Sequence, residues 1–147
     1  MRDRPTHRRT PTDSPMDELR ALLEDSGHRV TPSDDGTLHL RLAFGNRVRI
    51  RRSADSSAVY RVSRTLSVLR SSDIEAEAYR LANRISKELS GAKCVVIDQR
   101  IELIHESIYA TPETFVNSLN RIMYALNDGA SVFHHALRVE RAANDAA

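Results

Sequence analysis

The sequence has 147 residues and a formal net charge of +2, and its 40% hydrophobic and 29% charged residues are typical of a single soluble globular domain. Its one cysteine, Cys94, excludes an intramolecular disulfide, and no apolar run approaches the ~20 residues that a membrane-spanning helix needs. No apolar stretch follows the basic N-terminal residues, so we expect no secretory signal, no membrane binding and a cytoplasmic location.

The first part of the chain is expected to be an arm followed by a helix. Residues 1–14 contain no apolar residue after the first methionine, so they cannot bury enough surface to order, and we predict a disordered basic arm. A helix is then expected from an N-cap at Ser14 to a stop at Gly27. Further along, a second helix is expected to begin with a capping box at Ser72 and to end at Gly91.

Between these two helices, and again after the second, the apolar residues recur with period two. This alternation predicts strands over residues 37–44, 47–51, 59–63, 94–97 and 101–104, with an extension of the third strand to Val68 left open. The last two strands form a hairpin across a two-residue turn at Asp98-Gln99, which pairs Val96 with Ile101 and Cys94 with Leu103.

The first hairpin is predicted to have an irregular connection. A two-residue turn at Gly45-Asn46 would place leucines and arginines on the same face, which a half-buried sheet does not accept. An odd loop or bulge that pairs Leu42 with Ile50 gives one apolar face and one arginine face. On this register we expect Leu42→Ala to be severe and Arg49→Ala to be close to neutral for folding.

A third helix is expected to begin at Thr111-Pro112, because Thr is a good N-cap and Pro suits the first helical position. Its apolar spacing continues in phase past Gly129, which favours one long helix bent there over two helices. Val116 and Met123 widen its apolar stripe beyond what one sheet needs, and we interpret them as an association face of a homodimer. The alternative is that the first helix covers this width within the monomer.

These elements predict an α+β fold with an antiparallel sheet, made of a three-strand meander plus a hairpin, and helices on one face. The order is α-β-β-β-α-β-β-α, because short hairpin links replace the strand–helix–strand repeats of parallel sheets. We expect one domain over residues 15–140 and a frayed C-terminal tail over residues 141–147.

The element order, the stretch from Ala78 through Arg84, the strand Ile101-Glu102-Leu103 and the Thr111-Pro112-Glu113 helix start resemble the bacterial YbjN family. The resemblance covers roughly residues 16–140, and the family's fold is similar to that of type III secretion chaperones. It implies a non-enzymatic regulator or chaperone-like module, often dimeric, with no catalytic residues. The strongly basic central sheet departs from what the family implies, so the kind of partner stays open.

No motif in the sequence predicts catalysis, a cofactor or a metal site. His105-Glu106 begins like the helical zinc motif H-E-x-x-H, but Tyr109 stands where the second histidine would be. The adjacent His134 and His135 point about 100° apart on a helix and cannot share a metal as an i, i+4 pair could. We therefore predict a protein that is not an enzyme.

The arginines of the central sheet are the one feature that stands out. Residues 38–70 hold eight arginines and a single acid, Asp55, a local balance of +7. We predict that five of them contact a partner from one face of the sheet: Arg41, Arg47, Arg49, Arg51 and Arg61.

Two functional hypotheses remain. The first is a regulatory or chaperone-like module that holds a segment of another protein, an acidic protein being one option, through a sheet edge or an apolar helix face. The second is a nucleic-acid-associated protein that binds the phosphate backbone through the arginine face and the N-terminal arm. A third interpretation of the arginines is purely structural, with acids from the helices pairing across a solvated face.

Overall fold

The structure is a computed structural model that describes residues 15–42, 47–53, 58–69 and 75–147. The expected arm over residues 1–14 and the predicted caps at Ser14 and Ser72 lie outside these ranges. The elements are α1 (Pro15–Asp25), β1 (Arg29–Pro32), β2 (Leu38–Arg41), β3 (Arg47–Arg52), β4 (Val59–Val68), α2 (Glu75–Glu88), β5 (Lys93–Ile97), β6 (Arg100–Ile108) and α3 (Pro112–Asp145).

The six strands form one antiparallel sheet in the order β1-β2-β3-β4-β6-β5, and the predicted α+β class is confirmed. The sheet has one strand more than the sequence predicts, because β1 precedes the three-strand meander. In β1 only Val30 is apolar, and four residues that end in Pro32 are too few to show a clear alternation. The third strand of the meander does extend to Val68, with a register irregularity between Thr65 and Ser67.

The second hairpin forms as predicted, with Val96 opposite Ile101 and Cys94 opposite Leu103. Its turn residues Asp98 and Gln99 have φ angles of 48° and 59°, the left-handed conformation that a tight two-residue hairpin turn requires.

The first hairpin confirms the separation into an apolar face and an arginine face, but the predicted partner is wrong. Ile50 lies opposite Leu38 rather than Leu42, and Leu40 lies opposite Val48. The two registers differ by four residues, an even shift that leaves every side chain on the same face, so alternation alone cannot separate them. Leu42 is consequently only half-buried, while Leu40 is fully buried.

α3 is a single helix, as favoured above. It begins at the predicted position, where the Thr111 hydroxyl accepts a hydrogen bond from the Thr114 backbone N–H at 3.2 Å. The sequence predicts a frayed tail from residue 141, whereas the helix continues to Asp145. Alanine fills two of the positions from 141 to 145, and its high helix propensity favours this extension.

All three helices contribute to one core on the same side of the sheet. Leu19 and Leu23 of α1, Ile85 of α2 and Phe115 and Phe133 of α3 are nearly or completely buried together with the leucine face of the strands. Within the described ranges, no helix is both long and apolar enough to cross a membrane.

Both edges of the sheet are partly closed. At the β5 edge, the Ser86 hydroxyl of α2 accepts a hydrogen bond from the Cys94 N–H and donates one to the Cys94 carbonyl, each at 2.8 Å. At the β1 edge, the Ser33 N–H donates to the Thr37 carbonyl at 2.9 Å, so antiparallel alternation turns the nitrogen of Pro32 outward. Because proline has no N–H, that edge lacks a donor at this position.

Candidate functional site

The open face of the sheet, opposite the helices, carries the arginines that the sequence singles out. In an antiparallel pair, directly opposed residues share a face. The observed pairs His39–Arg49, Arg41–Arg47 and Arg51–Arg61 therefore place all five predicted contact residues on this side. We call this surface the arginine face. Its arginines are residues 29, 41, 47, 49, 51, 61 and 100.

Two other arginines of the strands belong to the helix side. The Arg52 guanidinium lies 5.0 Å from the centroid of the buried Tyr60 ring, a cation–π contact. The Arg64 guanidinium donates to the Asn127 side-chain oxygen of α3 at 2.9 Å. The arginines of the strands thus fall into two groups. Arg52 and Arg64 make contacts on the helix side, and the others lie on the opposite face of the sheet.

Part of the arginine face is organised around a buried carboxylate. Glu102 of β6 is only 4% exposed, and it pairs with the Arg49 guanidinium. The Thr65 hydroxyl lies 3.4 Å and the Arg100 Nε 3.6 Å from the same carboxylate oxygen. Arg49 therefore has a structural role, because a buried carboxylate needs a charged or hydrogen-bonding partner.

Arg51 and Arg61 also pair with acids of the same chain. Arg61 Nε lies 2.6 Å from a Glu106 carboxylate oxygen, and an Arg51 amino group lies 2.7 Å from Asp35. All four side chains are about half exposed, so each pair contributes little to stability. The structural interpretation above expects such acids to come from the helices, but here they come from β6 and the β1–β2 turn.

Asp35 also organises its turn. Its carboxylate accepts a hydrogen bond from the Ser33 hydroxyl at 2.7 Å and one from the Thr37 N–H at 3.0 Å. These hydrogen bonds, together with nearby Arg51, hold the pKa of Asp35 well below its usual range. Arg51 further donates from Nε to the Thr37 hydroxyl at 2.6 Å. Arg51 is thus held by the turn.

Three arginines of the face have no acid partner among the described residues. Arg29, Arg41 and Arg47 lie side by side on β1, β2 and β3, since Arg41 is directly opposite Arg29 on one side and Arg47 on the other. All three are exposed. We call these residues the arginine row. The sequence analysis does not assign Arg29 to this face because it does not predict β1. The alternation of polar Arg29, apolar Val30 and polar Thr31 after Gly27 is a weak signal for that strand.

An open cavity of about 490 Å³ lies at one end of the arginine row. It is lined by the turn residues Gly27 and His28, by Arg29 and Arg41 of the row, and by Leu42. The lining thus combines two guanidinium groups and an imidazole with a single apolar side chain. Such a lining fits an anionic group better than an apolar one.

The predicted association residues lie on the helix side. Val116 and Met123 are half-buried and pack against the core, and α1 packs against α3. The most exposed large hydrophobic side chain of α3 is Tyr124, at 77%, next to Met123 in the sequence. This part of α3 therefore presents one exposed ring beside two partly covered apolar side chains.

His105, considered above as a metal ligand, has two hydrogen-bond partners, and Cys94 is buried. His105 lies on β6, where Nδ1 is 2.7 Å from the Gly91 carbonyl oxygen and Nε2 is 2.9 Å from the Tyr109 hydroxyl. Burial raises the pKa of the Cys94 thiol to about 11, which makes it a poor nucleophile near neutral pH. In the part of the chain that the structure describes, no three His, Cys, Asp or Glu side chains are grouped as metal ligands would be.

No protein-family model matches the sequence, and no curated protein matches it. Similarity appears at the level of solved structures. YbjN, a candidate transcription regulator from E. coli, superposes with a TM-score of 0.61 and 17% identity, over 85% of this chain and 93% of YbjN.

Two type III secretion complexes contain similar chains. A chain of the heterodimeric ExoU–SpcU complex from Pseudomonas aeruginosa gives a TM-score of 0.53 and 22% identity, over 79% of this chain and 94% of that chain. A chain of the complex between the Yersinia pestis secretion chaperone SycH and a stable fragment of YscM2 gives a TM-score of 0.53 and 14% identity, over 82% and 99%. At these identities the likeness establishes the fold, and it confirms the YbjN-like, chaperone-like fold that the sequence resemblance implies.

Proposed function

We propose that this protein is a non-enzymatic, cytoplasmic binding module that holds another protein in a regulatory or chaperone-like role. The observation that carries the proposal is the arginine row, an exposed set of three cations that the chain's own acids leave unpaired in the described ranges. Like charges grouped on a surface attract groups of the opposite charge and steer association with them. The fold is compatible with this role, since similar chains occur in the ExoU–SpcU and SycH–YscM2 complexes.

The face of the sheet is a better candidate surface than its edges. Strand addition needs a continuous row of free N–H and C=O groups at a sheet edge. Ser86 occupies the groups of Cys94 at one edge, and Pro32 lacks a donor at the other. A partner would therefore bind through side chains of the arginine face.

The test is affinity capture from the native cell extract, with and without nuclease. We expect a protein partner that survives nuclease treatment with the wild-type chain and is lost with the Arg41→Gln/Arg47→Gln variant. Arg49 and Arg51 are unsuitable for this test because their acid partners would be left unpaired. Capture of nucleic acid alone, with no protein retained after nuclease, would contradict the proposal.

The nucleic-acid hypothesis has the same arginines in its favour, but the described ranges offer no aromatic surface on which bases could stack. Proteins that bind single strands usually place aromatic rings along the basic groove. Among the described residues, every Tyr and Phe lies on the helix side of the sheet or on a helix, and none lies on the arginine face. The protein-binding hypothesis is therefore the better supported of the two.

The proposal includes a homodimer formed through α3, supported by the exposed Tyr124 beside half-buried Val116 and Met123. Sedimentation at micromolar concentration tests this part. We expect Tyr124→Glu to convert a dimer into a folded monomer that still unfolds cooperatively, since Tyr124 is 77% exposed and contributes little to the core. A wild-type chain that sediments as a monomer would contradict the dimer.

A further inference from the structure

We propose that the arginine row and its adjacent cavity bind the closely spaced carboxylates of an acidic peptide segment. This inference rests on the proposed function and specifies the chemistry of the partner. It is carried by the contrast between two halves of one surface, which share β3 and the same residue type but differ in whether a described residue supplies an acid partner.

The spacing of the arginine row suits several carboxylates at once. Neighbouring strands are about 4.8 Å apart, so three side chains in register bring three positive charges within roughly 10 Å. Like charges directly opposite each other destabilise a sheet. The pairs Arg29–Arg41 and Arg41–Arg47 are therefore unfavourable in the free protein, and bound anions would relieve this repulsion.

The other half of the arginine face shows the pairing that the row lacks. There Arg61 reaches the Glu106 carboxylate at 2.6 Å and Arg51 reaches Asp35 at 2.7 Å, both on an exposed surface. The pairing of β4 with β6 thus brings the Arg61 guanidinium and the Glu106 carboxylate into hydrogen-bond contact on this face. A partner that supplies carboxylates next to the row would repeat the same contact between chains.

The surroundings of the row favour a peptide over a nucleic-acid backbone. The acids Asp35, Glu102 and Glu106 belong to the same face, so the unpaired positive area is small, and a continuous phosphate chain would pass over negative charge. The cavity of about 490 Å³ beside Arg29 and Arg41 has room for acidic side chains. A short acidic stretch fits within this area, whereas a polyphosphate backbone extends beyond it.

The experiment measures the binding of defined probes to the full chain by fluorescence anisotropy. The probes are a short labelled peptide of alternating Glu and Gly and a single-stranded oligonucleotide of the same net charge, at the same low salt concentration. The test variant is Arg29→Gln/Arg41→Gln/Arg47→Gln. The control variant is Arg80→Gln/Arg121→Gln/Arg138→Gln, which removes three exposed arginines from the helices and changes the net charge equally.

We expect the peptide to bind the wild type more tightly than the oligonucleotide does. The affinity for the peptide should fall by about tenfold or more in the test variant, the combined effect of three exposed charge pairs. The affinity of the control variant should stay within about twofold of the wild-type value. The Tm of the test variant should equal or exceed that of the wild type, because the repulsion between the three arginines of the row is removed. Equal weakening by both variants would show a net-charge effect and overturn the inference.

Three further outcomes distinguish this inference from the proposed function and from nucleic-acid binding. If the chain captures a protein from the extract, but the peptide does not bind and the row substitutions do not reduce capture, the inference fails and the proposed function stands. If the oligonucleotide binds more tightly than the peptide and depends on the row, the acidic-peptide inference is overturned in favour of nucleic acid. If the peptide binds through the row but no protein is retained from the extract, the proposed function fails and the chemistry of the row stands.

Discussion

Gly129 of α3 lies so close to Leu103 of β6 that a Cβ atom at position 129 would come within 3.1 Å of both Leu103 methyl carbons and 3.4 Å of a Leu89 methyl. Leu103 is fully buried, so it has little room to move. The glycine therefore serves close helix–sheet packing and does not end the helix.

We expect Gly129→Ala to lower the free energy of unfolding. Alanine gains about 1 kcal/mol of helix propensity over glycine, but overpacking against a buried leucine costs about 1–3 kcal/mol. Urea denaturation measures the balance, with the exposed Asp128→Ala on the same helix as the control, expected within about 0.5 kcal/mol of wild type. A Gly129→Ala protein more stable than wild type would show that Leu103 moves aside freely.

The buried Glu102 changes the expectation for Arg49. The sequence predicts Arg49→Ala to be close to neutral, but in the structure this change leaves a carboxylate that is 4% exposed with only the more distant Arg100 and the Thr65 hydroxyl. We now expect Arg49→Ala and Glu102→Ala each to cost about 2–4 kcal/mol, as for a broken, largely buried pair. Glu106→Ala on the same strand and face is the control and should cost less than about 1 kcal/mol, because its pair with Arg61 is exposed. Equal losses for Glu102→Ala and Glu106→Ala in urea denaturation would contradict this account.

The corrected register moves the severe substitution from Leu42 to Leu40. Leu40 is 0% exposed and lies opposite Val48, so Leu40→Ala should cost about 2–5 kcal/mol. Leu42→Ala should cost clearly less, since Leu42 is half-buried at the end of the strand. Thermal denaturation of both variants gives the order, and a larger loss for Leu42→Ala would favour the register that pairs it with Ile50.

Stability should fall at alkaline pH because of buried protonated groups. Burial raises the pKa of Cys94 from 9.0 to about 11, so between these values the unfolded thiol loses its proton while the folded thiol keeps it. The folded state then binds more protons, and the free energy of unfolding decreases as the pH rises through this window. Burial also raises the pKa values of Tyr60 and Tyr109, which extends the loss above the ordinary tyrosine value of 10.0.

Urea midpoints measured at intervals from about pH 8 to about pH 11 test this dependence, with Cys94→Ala as the comparison. The variant should show a smaller decrease over the window, because only the tyrosine contribution remains. Parallel decreases in the two proteins would show that the thiol contributes nothing.

The sequence predicts those features that depend on alternation and on local turn or cap chemistry. The Cys94–Leu103 pairing, the Thr111 cap and the placing of five arginines on one face all follow from residues close in the chain. What it does not predict depends on strand neighbours distant in sequence. The β4–β6 pairing places Glu106 opposite Arg61, and no local pattern shows which acid a given arginine will meet. For the same reason the sequence does not predict the arginine row, because only the pairing of β1 with β2 brings Arg29 next to Arg41.

The closed edges of the sheet matter most when no partner is bound. A sheet with free edges can join the sheet of another copy, and such edge-to-edge pairing leads to aggregation. The Ser86 hydroxyl, bound to both backbone groups of Cys94, and the missing donor at Pro32 interrupt this route on opposite sides of the molecule. The positive charges of the arginine row also repel a second copy that approaches with the same face. These features disfavour the association of two copies through their sheets.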